Sequence, residues 1–402
     1  MFRNYLKTAF RNLWRHKTFS FINIMGLTIG MTACFLIFLY VKFELSYEDF
    51  LPKSDRIVRV MADIKTPTEV IHSDRPAWAV PPNVKDEFPE VEEFVRVQNN
   101  PMIVRNGDIK FKEDNTMIVD STAFKVFGWK LLKGDPNTAL SAPFSIVLNE
   151  TAAKKYFGSE NPMGKTLLLG DEGLPNTITG VMQDLPENTE VTAPMVISMS
   201  SLTAKLNPNL DKQWGNYGAD AYLLLKPGTS MANLQKKLPE FLKRRNGKEM
   251  DEWKMWVTLY LRPIRDQYLY SHKNEEKQSN LTNVYIFSIV AIFILVIACI
   301  NFVNLTTARS TERAKEVGIR KVAGADKFQL VRQFIGESLI ISLIAFGLAL
   351  LLTALFLPMF NNLAGKIISP GLFNHWQYIG YLLLAAICIG LLAGIYPALV
   401  LA

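Results

Sequence analysis

The sequence predicts an α-helical membrane protein with four transmembrane helices and a large α+β domain outside the membrane. Of its 402 residues, 49% are apolar and 20% are charged, but the apolar residues are concentrated in four long runs. A stretch of ordinary soluble composition, residues 43–283, separates the first run from the other three. Basic residues outnumber acidic ones before the first run and after the second. This uneven distribution excludes a single soluble globule, a disordered chain and a disulfide scaffold.

The four apolar runs cover residues 19–41, 284–304, 334–359 and 378–402. At a rise of about 1.5 Å per residue, a helix over each run can cross a hydrocarbon layer about 30 Å thick. Buried core helices are the alternative, but they seldom stay uncharged over this length. A cleaved signal peptide fits the first run poorly, because the apolar part is too long and no small-residue cleavage site follows it. We therefore expect four membrane spans.

The charges around the runs predict the orientation. Residues 1–17 carry five basic side chains and no acidic one, and residues 305–332 carry seven basic and three acidic side chains. Residues 43–283 carry 30 basic and 33 acidic side chains. Because Lys and Arg are enriched in cytoplasmic segments, the amino terminus and the 305–332 loop should lie in the cytoplasm and the large domain outside. The net charge of +7 would then face lipid headgroups or a cytoplasmic partner, and it requires no nucleic acid.

Residues 1–18 show an amphipathic helical pattern. Aromatic and aliphatic side chains fall on one side of the helical wheel, and the opposite side carries Arg3, Lys7, Arg11 and Arg15. This pattern is typical of a cytoplasmic helix that lies in the headgroup layer. A simple positive anchor that fixes the topology is the alternative, and the two roles are compatible.

The 305–332 loop contains a second amphipathic pattern. Thr311 is a plausible helix start and Gly324 a plausible stop. Between them one stripe is formed by Ala314, Val317, Gly318 and Val322, and the opposite side by Arg313, Glu316 and Arg320. The pattern alone leaves two interpretations open, a docking helix for another protein or a solvated run of charges.

Several motifs resemble one family. The string ERAKEVGIRKVAGA at 312–325 is similar to the cytoplasmic coupling segment of the FtsX/MacB-like ABC-transporter permeases. Residues 23–30, 300–305 and 333–338 are similar to that family's span motifs. The order of one span, a large domain and three further spans is also the family's, so the resemblance covers essentially the whole chain.

This resemblance implies a membrane subunit that is not itself an enzyme and holds no cofactor. An ABC ATPase dimer would bind ATP and grip the coupling helix, whose movement would drive the outside domain in export or release of a substrate. Gly318 and Gly324 would allow close approach. The residues expected at the ATPase contact are Glu312, Arg313, Lys315, Glu316, Gly318, Arg320, Lys321, Gly324 and Ala325.

The resemblance also implies partners and a location. We expect a multi-pass protein of the bacterial cytoplasmic membrane, in contact with lipids, with a second permease copy or half and with a periplasmic adaptor. The alternatives are an FtsX-like regulator, which transmits ATPase motion to a cell-wall hydrolase without transport, and a sensor without an ATPase. Because the sequence stops at Ala402 inside the fourth run, we expect either a fragment or a truncated first half.

The large domain alternates between predicted strands and helices. Strands are expected at 56–61, 91–97 and 221–226, with helices at 78–88 and 231–245, which together indicate an α/β subdomain. A β-rich subdomain inserted at about 140–195 resembles that of MacB-type permeases. Its expected elements are strands at 145–148 and 177–182, a helix at 150–157 and a turn at 158–164.

The sequence contains no set of residues arranged for catalysis or metal binding. The stretch from Gly158 to Thr166 suggests a phosphate-binding loop, but five residues rather than four separate Gly158 from Gly164. The cysteines lie inside the apolar runs and the histidines are scattered, so no metal site is expected. They are Cys34, Cys299 and Cys388, and His16, His72, His272 and His375.

Three residues inside the spans remain candidates. Gly26 and Gly30 form a small-xxx-small pair that suits close helix packing, either between two permeases or within one chain. Glu337 is an acid near the start of the third span. Intramembrane acids are candidates for function, but we expect Glu337 to reach the membrane interface or to pair with Arg332.

Overall fold

The computed structural model describes residues 17–270, 280–308, 327–369 and 376–401. These residues form two compact units. The helical unit consists of the described residues up to Leu45 and from Leu281 onwards, and the sheet domain lies within residues 46–280. The predicted helix at residues 1–18 lies almost entirely outside the described residues, and it stays a prediction.

Within the described residues the chain forms helices and strands in the following order. They are α1 (Lys17–Glu44), β1 (Ile57–Lys65), β2 (Val70–Ser73), α2 (Val80–Glu87), β3 (Val91–Asn106), β4 (Ile109–Val119), α3 (Ala123–Phe127), β5 (Leu131–Lys133), β6 (Ser145–Asn149), α4 (Glu150–Phe157), β7 (Thr166–Leu169), β8 (Leu174–Met182), β9 (Met195–Ser198), a π-helical turn (Ser201–Leu206), a 3-10 turn (Leu210–Lys212), β10 (Asp220–Leu225), α5 (Met231–Trp253), β11 (Trp256–Pro263), α6 (Ile264–Gln267), α7 (Asn280–Ala308), α8 (Lys327–Ala364) and α9 (Trp376–Leu401).

Three helices are long and apolar enough to cross a membrane, in agreement with three of the four predicted spans. They are α1, the segment Leu281–Ala308 of α7 and the segment Phe334–Ala364 of α8. The fourth predicted span is also a helix, α9, but its described apolar part, Trp376–Leu392, is shorter. The fourth span therefore stays a prediction.

The helical unit has a small core. Leu27, Met31 and Phe35 of α1 pack with residues of α7, α8 and α9, including Phe302 and Ala345. Hydroxyl groups inside it donate to backbone carbonyls, because apolar surroundings offer no water to bind. The Ser342 hydroxyl on α8 donates to the Ala386 carbonyl on α9 at 2.7 Å. Of the three long apolar helices α1, α7 and α8, α7 is the least buried.

The sheet domain contains one mixed sheet with eleven strands. The strand order is β11-β1-β10-β3-β4-β9-β6-β8-β5, with β2 beside β1 and β7 between β3 and β8. The β4–β9 and β6–β8 pairs are parallel, and the other pairs are antiparallel. A mixed sheet of this kind agrees with the predicted α+β class.

Helices cover the sheet at both ends. Leu234, Leu238 and Phe241 of α5 pack with α2 against the half of the sheet that contains β1 and β10. Helix α4 supplies Ala152 and Tyr156 to a second cluster with β6 and β8. A third cluster, around Phe127, Trp129 and Tyr222, draws on both halves.

The expected division into an α/β subdomain and an inserted β-rich subdomain stays a prediction, but one sheet runs through both regions. Strand β9 pairs with β4, and β7 pairs with β3, so the 140–195 region belongs to the same continuous sheet. The physical reason is the length of the β3–β4 hairpin, because β3 runs to Asn106 rather than to residue 97. Its polar segment Gln98-Asn99-Asn100 interrupts the apolar alternation by which strands are predicted.

Candidate functional site

The predicted ATPase contact lies outside the described residues, which stop at Ala308 and resume at Lys327. This holds for Glu312, Arg313, Lys315, Glu316, Gly318, Arg320, Lys321, Gly324 and Ala325. The structure does describe both flanks, the end of α7 and the start of α8. The role of these residues stays a prediction.

Helix α7 is a continuous rod that leads from the sheet domain to this loop along the chain. Its 29 residues correspond to a length of about 43 Å. Near its end the hydroxyls of Thr306 and Thr307 donate to the carbonyls of Phe302 and Val303 at 2.7 and 2.8 Å. The helix is continuous up to Ala308, the last described residue before the loop.

The small-xxx-small pair of α1 lies against α7 of the same chain. A Cβ atom built on Gly30 would lie 2.8 Å from the Ala298 Cβ atom, closer than two carbon atoms can approach. A Cβ atom on Gly26 would lie 3.4 Å from the Asn301 side-chain nitrogen. The close contact at Gly30 is therefore made within one chain, which is one of the two alternatives for this pair; the other is packing between two permeases.

Glu337 lies on α8, three residues after Phe334, and is half-buried. The preceding Arg332 is exposed. Neither observation tests whether Glu337 reaches the membrane interface or pairs with Arg332, so both stay predictions.

Sequence analysis missed a buried carboxylate at the end of α1. Glu44, the last residue of that helix, is 1% exposed, and the Lys366 ammonium group lies 2.9 Å from its Oε1 atom. The same ammonium lies 5.9 Å from the centre of the Phe43 ring. The available signal was an acid directly after an apolar run, but nothing in the sequence pairs it with a lysine 322 positions away.

The sheet domain has a polar cavity of about 470 Å³ beside β1, β2 and β11. In it the Asp63 carboxylate lies 2.8 Å from the His72 Nδ1 atom and accepts a hydrogen bond from the Tyr260 hydroxyl. This hydrogen bond and burial raise the pKa of Tyr260. Arg262 also lines the cavity, and burial lowers its pKa. Asp63, His72 and Tyr260 therefore bind one another at the cavity wall.

The described residues contain no group of three or more His, Cys, Asp or Glu side chains that could hold a metal ion. The phosphate-loop pattern at 158–166 is a turn, as its spacing predicted. Gly158 and Gly164 both adopt positive φ angles, 59° and 77°, which glycine tolerates best.

Comparison with known proteins identifies the family. Residues 20–241 match the MacB-like periplasmic core domain and residues 288–402 match the FtsX-like permease C-terminal domain. A macrolide export ATP-binding/permease protein MacB of Vibrio parahaemolyticus is 22% identical over 349 residues, covering 84% of this chain and 49% of that protein. The Neisseria gonorrhoeae protein of the same name is 25% identical over 269 residues, covering 65% of this chain and 39% of that protein.

Two solved structures are similar to part of this chain. A domain of a permease protein from Porphyromonas gingivalis has a TM-score of 0.47 and 23% identity, covering 59% of this chain and 98% of that one. The periplasmic region of MacB from Actinobacillus actinomycetemcomitans has a TM-score of 0.39 and 17% identity, covering 56% and 95%.

The matched domains define a membrane permease with a periplasmic domain, and the two matches follow one another along the chain. The chain belongs to the FtsX/MacB-like family of ABC-transporter permeases. It spans about half the length of the curated relatives that it matches first.

Proposed function

We propose that this chain couples ATP hydrolysis, carried out by an ATPase outside these 402 residues, to movement of its periplasmic domain. The observation that carries the proposal is the order of the two matched domains around the spans. Helix α1 continues directly into the periplasmic domain, and the chain leaves that domain into α7, whose far end reaches the 309–326 loop. A push on that loop would therefore travel along α7 to the periplasmic domain.

The same proposal sets the orientation and the partners. The loop and the amino terminus lie in the cytoplasm, where an ATPase dimer grips the 312–325 helix, and a second permease copy or half completes the complex. Movement outside would export or release a substrate, with a periplasmic adaptor as a further partner. The relatives are named ATP-binding/permease proteins, which supports an ATPase as part of the same machine.

Two alternatives are less well supported. An FtsX-like regulator of a cell-wall hydrolase would share the permease domain, but the match to the MacB-like periplasmic core over residues 20–241 favours a transporter. A sensor without an ATPase would not explain why residues 312–325 resemble the ATPase-coupling segment of the family.

The test is a charge reversal in the loop. The double variant Glu316→Arg/Arg320→Glu should reduce the amount of co-purified ATPase by about tenfold or more, because like charges across an interface repel. Membrane insertion should not change. The measurement is the ratio of ATPase to permease after purification in mild detergent.

The matched control reverses an exposed ion pair of the periplasmic domain, Glu160→Lys/Lys165→Glu. It should leave the ATPase ratio at the wild-type value. Equal ratios for wild type and the loop variant would contradict the proposed contact, and absence of any ATPase with the wild-type chain would favour the sensor.

A further inference from the structure

Two short segments connect the periplasmic domain to the neighbouring spans. The inbound segment, residues 46–54, follows α1, and the outbound segment, residues 264–268, precedes the stretch that leads to α7. The Tyr47 and Tyr268 rings stack at a centroid distance of 3.5 Å and an interplanar angle of 1°. The Arg265 guanidinium lies 3.0 Å from the Asp49 carboxylate. The two connections to the membrane are therefore held side by side.

The 188–191 loop binds both segments. Its Asn188 side chain donates to the Ser46 carbonyl at 2.7 Å, and its Glu190 carboxylate accepts from the Gln267 amide at 2.6 Å. Each of the three segments also contributes one residue to the same hydrophobic cluster: Leu51, Val191 and Ile264. We name the inbound segment, the outbound segment and the 188–191 loop together the joint.

Glu48 lies at the centre of the joint. It is 1% exposed, and its φ of 61° is a conformation that few residues other than glycine adopt. Its N–H group donates to the Asn188 carbonyl at 3.0 Å. Its carboxylate accepts from the Thr189 hydroxyl at 2.8 and 3.0 Å and from the Glu190 N–H group at 2.7 Å. Glu48 thus attaches the inbound segment to the loop through both its backbone N–H group and its side chain.

We propose that Glu48 is the positioning residue of the joint, and that its charge state sets how firmly the inbound and outbound segments are held together. One consequence rests on the proposed function: motion of α1 and α7 would enter the periplasmic domain through this joint. The joint itself is a property of this chain and exists without an ATPase.

The direction of the effect follows from burial. Burial raises the pKa of Glu48 to about 7, against the hydrogen bonds from Glu190 and Thr189, which lower it. In an opened joint the carboxyl meets water, and its pKa returns to an ordinary value of about 4.3. The closed joint therefore binds the proton more tightly, and its stability is lost as the pH rises through 7. Between pH 6 and pH 8 the equilibrium for opening should increase about tenfold.

Other charged groups lie in the joint or beside it. Glu190 lies in the loop and raises the pKa of Glu48 by repulsion. Asp49, Glu187 and Asp266 are further carboxylates of these or adjoining positions, and Arg265 is the cation. No histidine lies in these segments.

Hydrogen exchange tests the proposal on the full chain in lipid nanodiscs. Exchange of peptides that cover residues 46–54, 186–193 and 264–268 is measured at pH 6 and pH 8 and corrected for intrinsic chemistry. The wild-type chain should show about tenfold more opening at pH 8. Glu48→Gln, which has the same shape and no charge, should show no change with pH. If opening of the joint in the wild-type chain is the same at pH 6 and pH 8, the proposal is wrong, and no variant is needed to show it.

The matched control is Glu92→Gln, which neutralises a carboxylate paired with Arg56 elsewhere in the sheet domain. It should keep the tenfold change of the wild type. A tenfold change that persists in Glu48→Gln would also overturn the proposal. Because this readout needs no ATPase, its failure is distinguishable from failure of the loop contact, which is measured by co-purification.

Discussion

Arg96 shows how a buried charge organises the sheet domain. It is 3% exposed, and its guanidinium donates to both oxygens of Asp120 at 2.8 and 2.9 Å and to Asp211 at 2.5 Å. The Trp78 ring lies 5.2 Å below it. These contacts attach the 3-10 turn and the turn after β4 to β3, so one side chain holds three parts of the chain.

Removal of Arg96 should strongly destabilise the domain. Arg96→Ala leaves Asp120 without its ion partner in a largely buried site, which typically costs about 3–5 kcal/mol. The measurement is urea unfolding of the detergent-solubilised chain. The control is Arg244→Ala, since Arg244 is 56% exposed and its pair with Glu87 should contribute less than about 1 kcal/mol. Similar losses for the two variants would show that Arg96 is not the organising contact.

The sequence could not identify such residues. Arg96 stands in a predicted strand, yet its partner Asp120 is 24 positions away, and Glu48 and Thr189 are 141 positions apart. A charged residue with a distant partner has the same local pattern as a solvated one. Only the fold shows which of the charges are buried and paired.

Packing between helices decides the behaviour of the helical unit. Gly26 and Gly30 differ in how closely α7 approaches them. A Cβ atom added at Gly30 would lie closer to a carbon atom of α7 than van der Waals contact allows, whereas one added at Gly26 would not. The same substitution at both positions therefore separates a required glycine from a tolerated one.

Gly30→Ala should destabilise the helical unit, and Gly26→Ala should not. The added methyl group at Gly30 would force α1 and α7 apart, and overpacking of this kind costs about 1–3 kcal/mol. At Gly26 the nearest atom belongs to a side chain at 3.4 Å, which is an ordinary contact. The measurement is the unfolding midpoint in detergent. Equal midpoints for the two variants would contradict the packing described.

At the scale of the molecule the arrangement depends on which side of the membrane the sheet domain occupies. An enrichment of basic residues in residues 1–17 and 305–332 predicts that these segments are cytoplasmic. The match to a periplasmic core domain agrees with an outside position for the sheet domain.

Labelling of single cysteines tests this orientation. In a variant without Cys34, Cys299 and Cys388, Lys112→Cys should react with a membrane-impermeant maleimide in intact spheroplasts, because Lys112 is 76% exposed on the sheet domain. Lys321→Cys should react only after permeabilisation. Labelling of both positions in intact spheroplasts, before permeabilisation, would contradict both the orientation and the proposed function.

By itself the sequence determined the class of the protein, three of its spans, and the strands and helices at 145–157 and 220–245. These features depend on local properties, namely the length of an apolar run and the period of the apolar positions. The tertiary structure alone decided that the sheet is continuous, that Glu44 pairs with Lys366, and that Glu48 binds the 188–191 loop. Each depends on residues that are distant in the chain and meet only in the fold, where burial changes the free energy of their charged forms.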